Sequence, residues 1–341
     1  MLNLKKRKMR HLTKTAVLLV LIIAASCEKT PVGYKYNEGK LPETPLNLSD
    51  FNTKHDDFNS TAPSLGGLIP FCFSTNRNSN GDEFDIIYQP MNVNFSKSSG
   101  VLTITNKYAN WGVYANQYEV IKTGLNKIKT SGNEFGPNLI ADYNLNELNF
   151  TLLYSTDITG NSQINYISNQ TNKNFSEPKE VEFLNSEYED MYPTFNSDKS
   201  KIYFCSNRDG ESFNFYYVDV NPSLDIELLL SDDSSYEIVL DPILSSSSDD
   251  KCPSIFGNKM VFASNRAGGF GGYDLYYSIL KNGKWSEPIN FGEKINSEFD
   301  EFRPILIDEG VSWTQTMMVF SSNRPGGLGG FDLYFVGIEN E

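Results

Sequence analysis

The chain has 341 residues, with 43 acidic against 29 basic side chains and a formal net charge of −14. Nucleic-acid binding needs clustered positive charge to neutralise phosphates, so this acidity excludes it. The chain has two histidines, His11 and His55, so a Ser-His-Asp or Cys-His mechanism has almost no imidazole to use. The same shortage argues against a histidine-based zinc site, and we predict no metal and no cofactor.

The first 26 residues have the pattern of a bacterial export signal. Basic residues come first, and the apolar stretch 16–25 follows them. A membrane-spanning helix needs about 20 apolar residues, so a cleaved signal is the better interpretation. Ala24-Ala-Ser-Cys27 looks like a lipobox, which predicts lipid attachment at Cys27; ordinary cleavage after Ser26 is the alternative. We expect residues 27–45 to form a flexible tether and residues 46–341 a single domain.

A long sequence pattern recurs along the rest of the chain. Phe262–Tyr276 reappears almost unchanged 58 residues later as Phe320–Tyr334, and both contain Ser-Asn-Arg, Gly-Gly-x-Gly-Gly and Asp-Leu-Tyr. Weaker copies begin at Phe204, Phe73 and Tyr154, and the copy at Tyr154 has lost its arginine. Repetition at a fixed period indicates one structural unit used several times.

Each unit is predicted to be a four-stranded antiparallel sheet. The run before Asn-Arg, such as Met317–Phe320, is apolar throughout, as in a strand buried on both faces. The glycine-rich stretch suits a hairpin because glycine accepts positive φ, and Asp-Leu-Tyr then begins the next strand. We expect no amphipathic helix, and an extra hairpin within residues 101–129.

Five such sheets fit the length of the chain. The span from Leu46 to Val336 has 291 residues, which is five repeats of 58; six shorter repeats are the alternative. Pro45–Phe58 also matches Pro288–Phe302, so the N-terminal strand should complete the last sheet. We therefore predict an all-β, five-bladed β-propeller closed by its N-terminal strand, which removes an exposed sheet edge.

The repeated motifs resemble the WD40-like repeats of TolB-type propellers. The version with Ser-Asn-Arg, Gly-Gly-x-Gly-Gly and Asp-Leu-Tyr is similar to the form found in envelope proteins of Bacteroidota. The resemblance covers nearly the whole chain after Cys27, and the copy near Tyr154 is its weakest part. It implies a propeller that binds other proteins in the periplasm. Because TolB-type propellers often have six blades, it also keeps the six-bladed alternative open.

The repeated polar residues are the candidate binding residues. We expect the arginines to pair with acids or backbone carbonyls, because the Asn-Arg hairpins and the acids preceding each inner strand should emerge on one rim. A rim exposed to a partner is the alternative. The candidate binding rim consists of Asn76, Arg77, Asn207, Arg208, Asn265, Arg266, Asn323, Arg324 and Trp313, the last from a hairpin enlarged over Asp308–Thr316.

Three cysteines remain after Cys27, namely Cys72, Cys205 and Cys252, and we expect them to be unpaired core thiols. A disulfide is the alternative in an oxidising envelope.

These features together predict a lipid-anchored, non-catalytic protein-interaction module of the outer membrane, facing the periplasm or the cell surface. Its partners would be envelope proteins in an outer-membrane complex, and the membrane itself through the lipid. The alternative is a surface propeller that binds or cleaves glycans, because some five-bladed propellers hydrolyse sugars with a pair of acids near the axis.

Overall fold

The computed structural model describes residues 34–63, 68–107, 112–144, 147–170, 174–210, 212–308 and 313–340. The export signal and Cys27 lie outside the described residues. The first strand of this part is β1 (Leu46–Asn47). Among the described residues, no helix is both long and apolar enough to cross a membrane.

The strands of the described residues form five antiparallel sheets. In four of them the strands follow in chain order from the axis outward, and in the fifth the outermost strand comes from the beginning of the domain. Blade 1 is β2 (Asp57–Thr61), β3 (Leu68–Thr75), β4 (Asp85–Ser96) and β5 (Val101–Thr105). Blade 2 is β6 (Glu134–Asn144), β7 (Glu147–Thr156), β8 (Gln163–Ser168) and β9 (Lys179–Glu180). Blade 3 is β10 (Asp190–Phe195), β11 (Lys201–Ser206), β12 (Asn214–Asp219) and β13 (Val239–Leu240).

Blade 4 is β14 (Asp250–Phe256), β15 (Lys259–Ser264) and β16 (Asp274–Lys281), with β17 (Lys284–Trp285) and β18 (Ile289–Asn290) both pairing with β16. Blade 5 is β19 (Glu301–Ile307), β20 (Gln315–Ser322) and β21 (Asp332–Glu339), completed by β1. The five inner strands contact one another in a closed ring. The five-bladed propeller is therefore confirmed.

The N-terminal segment closes the ring, as the sequence predicts. Leu46 lies opposite Phe335 and Asn47 opposite Tyr334 in an antiparallel pair. Farther along, the buried Asn52 side chain donates to the Leu333 carbonyl at 2.9 Å and accepts from the Leu333 N–H at 2.8 Å. The last blade thus takes its outer strand from the beginning of the domain.

Each inner strand contains a β-bulge at its third residue. The five bulge residues all have φ between 48° and 60°: Asn59, Gly136, Tyr192, Cys252 and Arg303. A Cβ on Gly136 would overlap the Tyr192 ring, so glycine is needed there both for its φ and for space. Tyr192 and Arg303 fill the centre of the ring, and both are buried.

Apolar side chains fill the space between neighbouring blades, in clusters of Phe, Tyr, Leu and Ile drawn from facing sheets. Cys72, Cys205 and Cys252 belong to these clusters, and all three are buried and free. The prediction of unpaired core thiols is confirmed.

The prediction that the domain has no amphipathic helix is wrong. Helix α1 (Gly112–Ile128) follows β5 and packs its Tyr118, Ile121, Leu125 and Ile128 against blades 1 and 2. A second, short helix, α2 (Ile226–Leu230), is capped by the Asp225 carboxylate. The extra hairpin expected within residues 101–129 is wrong as well: in the described part of that range, β5 is the ordinary fourth strand of blade 1 and α1 follows it.

Candidate functional site

The same ion pair occurs in four blades, at the amino end of the inner strand of each. In each blade an acid begins the inner strand, and the arginine of Ser/Thr-Asn-Arg reaches it at 2.5–2.8 Å. The same guanidinium donates at 2.7 Å to a carbonyl in the loop before that strand. The pairs are Arg77–Asp57, Arg208–Asp190, Arg266–Asp250 and Arg324–Glu301.

These pairs fix the position of most of the predicted binding rim. The four arginine side chains are 14–18% exposed and the four acids fully buried, which confirms that the arginines pair with acids and carbonyls. The amide oxygens of Asn76, Asn207, Asn265 and Asn323 accept, at 2.8–3.0 Å, from the N–H of the residue before each acid. All eight residues therefore hold inner strands in place, and binding by them stays a prediction.

Trp313 lies apart from this network. It is half-buried, and its ring packs over Gly39 and edge-on against Phe95 at 5.8 Å between ring centroids. Its side chain thus holds the N-terminal segment against blades 1 and 5, and its role in binding also stays a prediction.

Blade 2 breaks the pattern. Its inner strand begins with Glu134, but the position of the arginine is taken by Ile158, and that of the asparagine by Asp157. Glu134 is completely buried, and its Oε1 accepts from the Thr130 hydroxyl at 2.6 Å. Its Oε2 has no hydrogen-bond partner in the part of the chain that the structure describes. Ile158 is 46% exposed and leaves that carboxyl uncompensated.

The environment of Glu134 favours its protonated form. Burial raises the pKa of this carboxyl to about 7, and the Thr130 hydrogen bonds oppose the rise; the negative charges of Asp85 and Asp157 add to it. A carboxyl with such a pKa can donate or accept a proton near neutral pH. The same burial, with the charge of Glu134, raises the pKa of the adjacent Tyr154 hydroxyl.

Glu134 lies at the edge of a cavity of about 300 Å³ between blades 1 and 2, covered by α1. Asp85 lines the same cavity; its carboxylate accepts from Lys129 at 2.5 Å and from the Asn78 amide at 3.2 Å. Ile87, Tyr88 and Leu125 form apolar wall, while Lys122 and Asn126 add polar groups. We call this space the Glu134 cavity. It brings together two carboxyl groups in different electrostatic environments.

The axis itself does not offer a matching pair of acids. Among the described residues, the acids that begin the other four inner strands are all neutralised by arginine. The centre is occupied by Tyr192 and Arg303, whose guanidinium lies over the Tyr192 ring at 5.4 Å. The asymmetric acid is therefore found between two blades.

A ring of half-buried aromatic side chains surrounds the amino ends of the inner strands. Phe58 packs against Phe84, Phe135 and Phe331 at centroid distances of 4.8–5.9 Å, and Tyr273 packs against Phe302 at 5.1 Å. We call the set Phe58, Phe84, Phe135, Phe213, Tyr273, Phe302 and Phe331 the upper aromatic ring.

Neither helix α1 nor a functional role for Glu134 was predicted from the sequence, although the sequence contains a signal for each. The spacing of Tyr118, Ile121, Leu125 and Ile128 is that of one helical face. For Glu134, the signal was a retained inner-strand acid in the one copy whose arginine is lost.

No protein-family model matches the chain, and no curated protein matches it. Solved structures do. An exo-β-1,3-galactanase from Clostridium thermocellum is 12% identical over 87% of this chain and 63% of its own, with a TM-score of 0.49. A GH43 protein of a xyloglucan locus in Bacteroides ovatus is 14% identical over 87% of this chain and 55% of its own, with a TM-score of 0.48. An α-L-arabinofuranosidase from Lactobacillus brevis is 8% identical over 83% of this chain and 90% of its own, with a TM-score of 0.45.

At these identities the likeness shows the propeller fold, and this chain spans less than two thirds of the first two proteins. The comparison nevertheless corrects one expectation, that the chain is not an enzyme. That expectation depended on the missing imidazole, whereas the matched propellers are named as glycoside hydrolases. The physical reason is that glycoside hydrolysis uses two carboxyl groups and needs no histidine.

Proposed function

We propose that this protein binds glycans and cleaves a glycosidic bond in the Glu134 cavity. The observation that carries the proposal is Glu134 itself: the one described inner-strand acid without an arginine, buried, with one oxygen unpaired and a pKa of about 7. An acid with a raised pKa beside a second, ion-paired carboxylate is the pattern of a proton donor and its anionic counterpart.

The two carboxyl groups would divide the chemistry between them. Glu134 would protonate the oxygen of the leaving sugar, since it keeps its proton up to about pH 7. Asp85, which accepts hydrogen bonds from Lys129 and Asn78, would stabilise or attack the positively charged sugar carbon, or activate water towards it.

The walls of the cavity suit a sugar ring. Ile87, Tyr88 and Leu125 offer apolar surface to the C–H face of a sugar, and Asn78, Asn126 and Lys122 offer hydrogen bonds to its hydroxyl groups. A volume of about 300 Å³ accommodates one or two sugar units.

The test is hydrolysis of a panel of aryl glycosides and bacterial and plant polysaccharides by the purified domain. Glu134→Gln should lower kcat by a factor of about 10² or more, because a general acid contributes about that much. The wild-type rate should fall as pH rises through about 7, as Glu134 loses its proton. Glu177→Gln, which changes an 80% exposed carboxylate, is the matched control and should leave the rate unchanged.

A second variant keeps Glu134 but should prevent it from donating a proton. Ile158→Arg supplies the arginine found in the other four blades, which should pair with Glu134 and hold it ionised. Activity should then be lost in a protein that is folded and at least as stable. Full activity of either Glu134→Gln or Ile158→Arg would refute the assignment.

A second function is favoured by a separate observation, the upper aromatic ring. Clustered, partly exposed aromatic side chains are typical of protein–protein contacts. We propose that this face binds an envelope protein, with the domain tethered to the outer membrane through a lipid on Cys27, as its resemblance to TolB-type propellers suggests.

Crosslinking in intact cells, followed by recovery from solubilised membranes, tests this second function. A stoichiometric envelope partner should be captured by the wild type and lost with Phe331→Ser, whereas Leu228→Ser, at a 67% exposed position on α2, should still capture it. A Cys27→Ala variant should leave the membrane fraction. Equal capture by both surface variants would count against the aromatic ring.

A further inference from the structure

The carboxyl ends of the inner strands surround a second and larger cavity. It measures about 570 Å³ and takes its lining from all five inner strands and the segments that follow them. We call it the lower funnel, lined among others by Asn138, Thr194, Phe195, Lys199, Phe256 and Arg303. Its size is within the range of sites for small organic ligands.

Arg303 at this funnel carries a buried charge without a carboxylate. Its side chain is 1% exposed and donates to the carbonyls of Pro137 at 2.8 Å and Pro253 at 3.4 Å. Among the described residues its Nε has no hydrogen-bond partner, whereas each of the four rim arginines pairs with an acid. A buried charge is costly unless it is paired, so an unpaired guanidinium needs an explanation.

The backbone holds Arg303 in place. Its φ of 48° lies in the left-handed region, like that of the bulge residues of the other four inner strands. The bulge and the Tyr192 ring beneath the guanidinium enforce this position. The bulge therefore fixes where the Arg303 side chain begins, and the guanidinium is what distinguishes it from the other four bulge residues.

The lining favours a negative ligand. Of the described residues that line the funnel, none is Asp or Glu, although the chain as a whole is strongly acidic. Lys199 adds a second cation, shared with Asp142 at 2.9 Å, and Asn138 and Thr194 add polar groups. Phe195 and Phe256 supply apolar surface.

We propose that the lower funnel binds a small organic carboxylate of about the size of an acidic sugar, with the carboxylate on Arg303. A planar guanidinium is suited to two parallel hydrogen bonds with a carboxylate. The volume exceeds what inorganic phosphate would fill, and the two Phe rings would contact the body of the ligand. This site lies at the opposite end of the inner strands from Glu134 and does not depend on the proposed hydrolysis.

Calorimetric titration with glucuronate, glucose and inorganic phosphate tests the proposal. Glucuronate should bind the wild type, glucose should bind at least tenfold more weakly, and phosphate should bind more weakly than glucuronate. Arg303→Met should weaken glucuronate binding at least tenfold, while the surface variant Lys201→Met should leave it unchanged. Phosphate binding as tight as glucuronate, or equal binding by Arg303→Met, would overturn the proposal.

A measurement on the wild type covers the case in which Arg303→Met does not fold. The Arg303 Nε–H resonance should shift during a glucuronate titration and stay fixed during a glucose titration. An Nε–H signal that is unmoved by saturating glucuronate would rule the site out.

Discussion

One substitution distinguishes blade 2 from the other four. Where the others place an arginine, blade 2 has Ile158, and the inner-strand acid Glu134 is left without a counter-charge. The four paired acids and Glu134 share the same backbone position and a Ser or Thr four residues earlier that binds the carboxylate. The difference in chemistry therefore comes from the missing guanidinium.

Because Glu134 has no arginine partner, its titration should make the stability of the domain depend on pH. The pKa of Glu134 is raised from 4.5 in the unfolded chain to about 7 in the fold, so between these values the folded state binds the extra proton. Stability should thus fall as pH rises from about 4.5 to 7 and stay lower above it.

Glu134→Gln should remove the loss of stability between pH 4.5 and about 7, because the amide carries no charge at any pH. The variant should match the wild type at pH 4 and exceed it by about 2 kcal/mol at pH 8, a value reduced from the full linkage energy for solvent in the cavity. Urea denaturation at several pH values measures it. Glu177→Gln should follow the wild-type curve, and a constant offset between Glu134→Gln and the wild type would contradict the argument.

Among the secondary-structure elements, the repeated strands could be predicted from the sequence, whereas helix α1, which occurs in one blade, was missed. Copies of Ser-Asn-Arg located the strands of blades 3 to 5, together with Asp-Leu-Tyr in blades 4 and 5 and its counterpart Phe213–Tyr217 in blade 3. Each copy has the same neighbours in the fold. Helix α1 has no counterpart in other blades, so its pattern of Tyr118, Ile121, Leu125 and Ile128 had only its own periodicity to identify it. The Glu134 cavity was missed with it, because α1 covers the cavity.

The packing of α1 on blade 2 depends on a glycine inside the helix. A Cβ on Gly124 would lie 2.8 Å from the Ile167 Cδ1 and from the Phe175 ring, which is closer than such contacts occur. Ala is otherwise favoured over Gly in a helix by about 1 kcal/mol, but overpacking a buried contact costs about 1–3 kcal/mol.

Gly124→Ala should therefore destabilise the domain by about 1 kcal/mol, against the helix propensity. Thr123→Ala, at the exposed neighbouring position, is the control and should be neutral or slightly stabilising. Chemical denaturation of both variants decides between the two effects. A gain in stability for Gly124→Ala would show that α1 can move away from blade 2.

At the scale of the whole molecule, the ring closes between segments almost 290 residues apart. The number of blades followed from chain length divided by the repeat, and the closing strand from the match of Pro45–Phe58 to Pro288–Phe302. What the repeat could not predict was how the axis is filled, since the five bulge residues are all different. Arg303 and Tyr192 have no equivalents in the other blades from which their positions could be inferred.

Asn52 stabilises the closure of the ring, and two other asparagines make the same contact elsewhere in the propeller. Asn52 exchanges two hydrogen bonds with Leu333 of the last blade, just as Asn185 does with Ile164 and Asn296 with Leu275. Asn185 and Asn296 join blades that follow each other directly along the chain. Asn52 joins the first and last segments of the propeller, which meet without a direct chain connection between them.

Asn52→Ala and Asn185→Ala should each cost about 1–3 kcal/mol, because each leaves one buried backbone N–H unpaired, that of Leu333 or of Ile164. The two carbonyls keep the bonds that they accept from the N–H groups of Leu48 and Val181. Their local consequences should differ. In Asn52→Ala, β1 can detach while the rest of the ring stays folded, so hydrogen exchange at Leu333 and Phe335, which face β1 from alternate positions of β21, should quicken well beyond the global rate. In Asn185→Ala, exchange in β8 should follow global unfolding, since the covalent link keeps the neighbouring strand in place. Equal protection of β21 and β8 in the two variants would mean that the closure is no weaker than any other contact between blades.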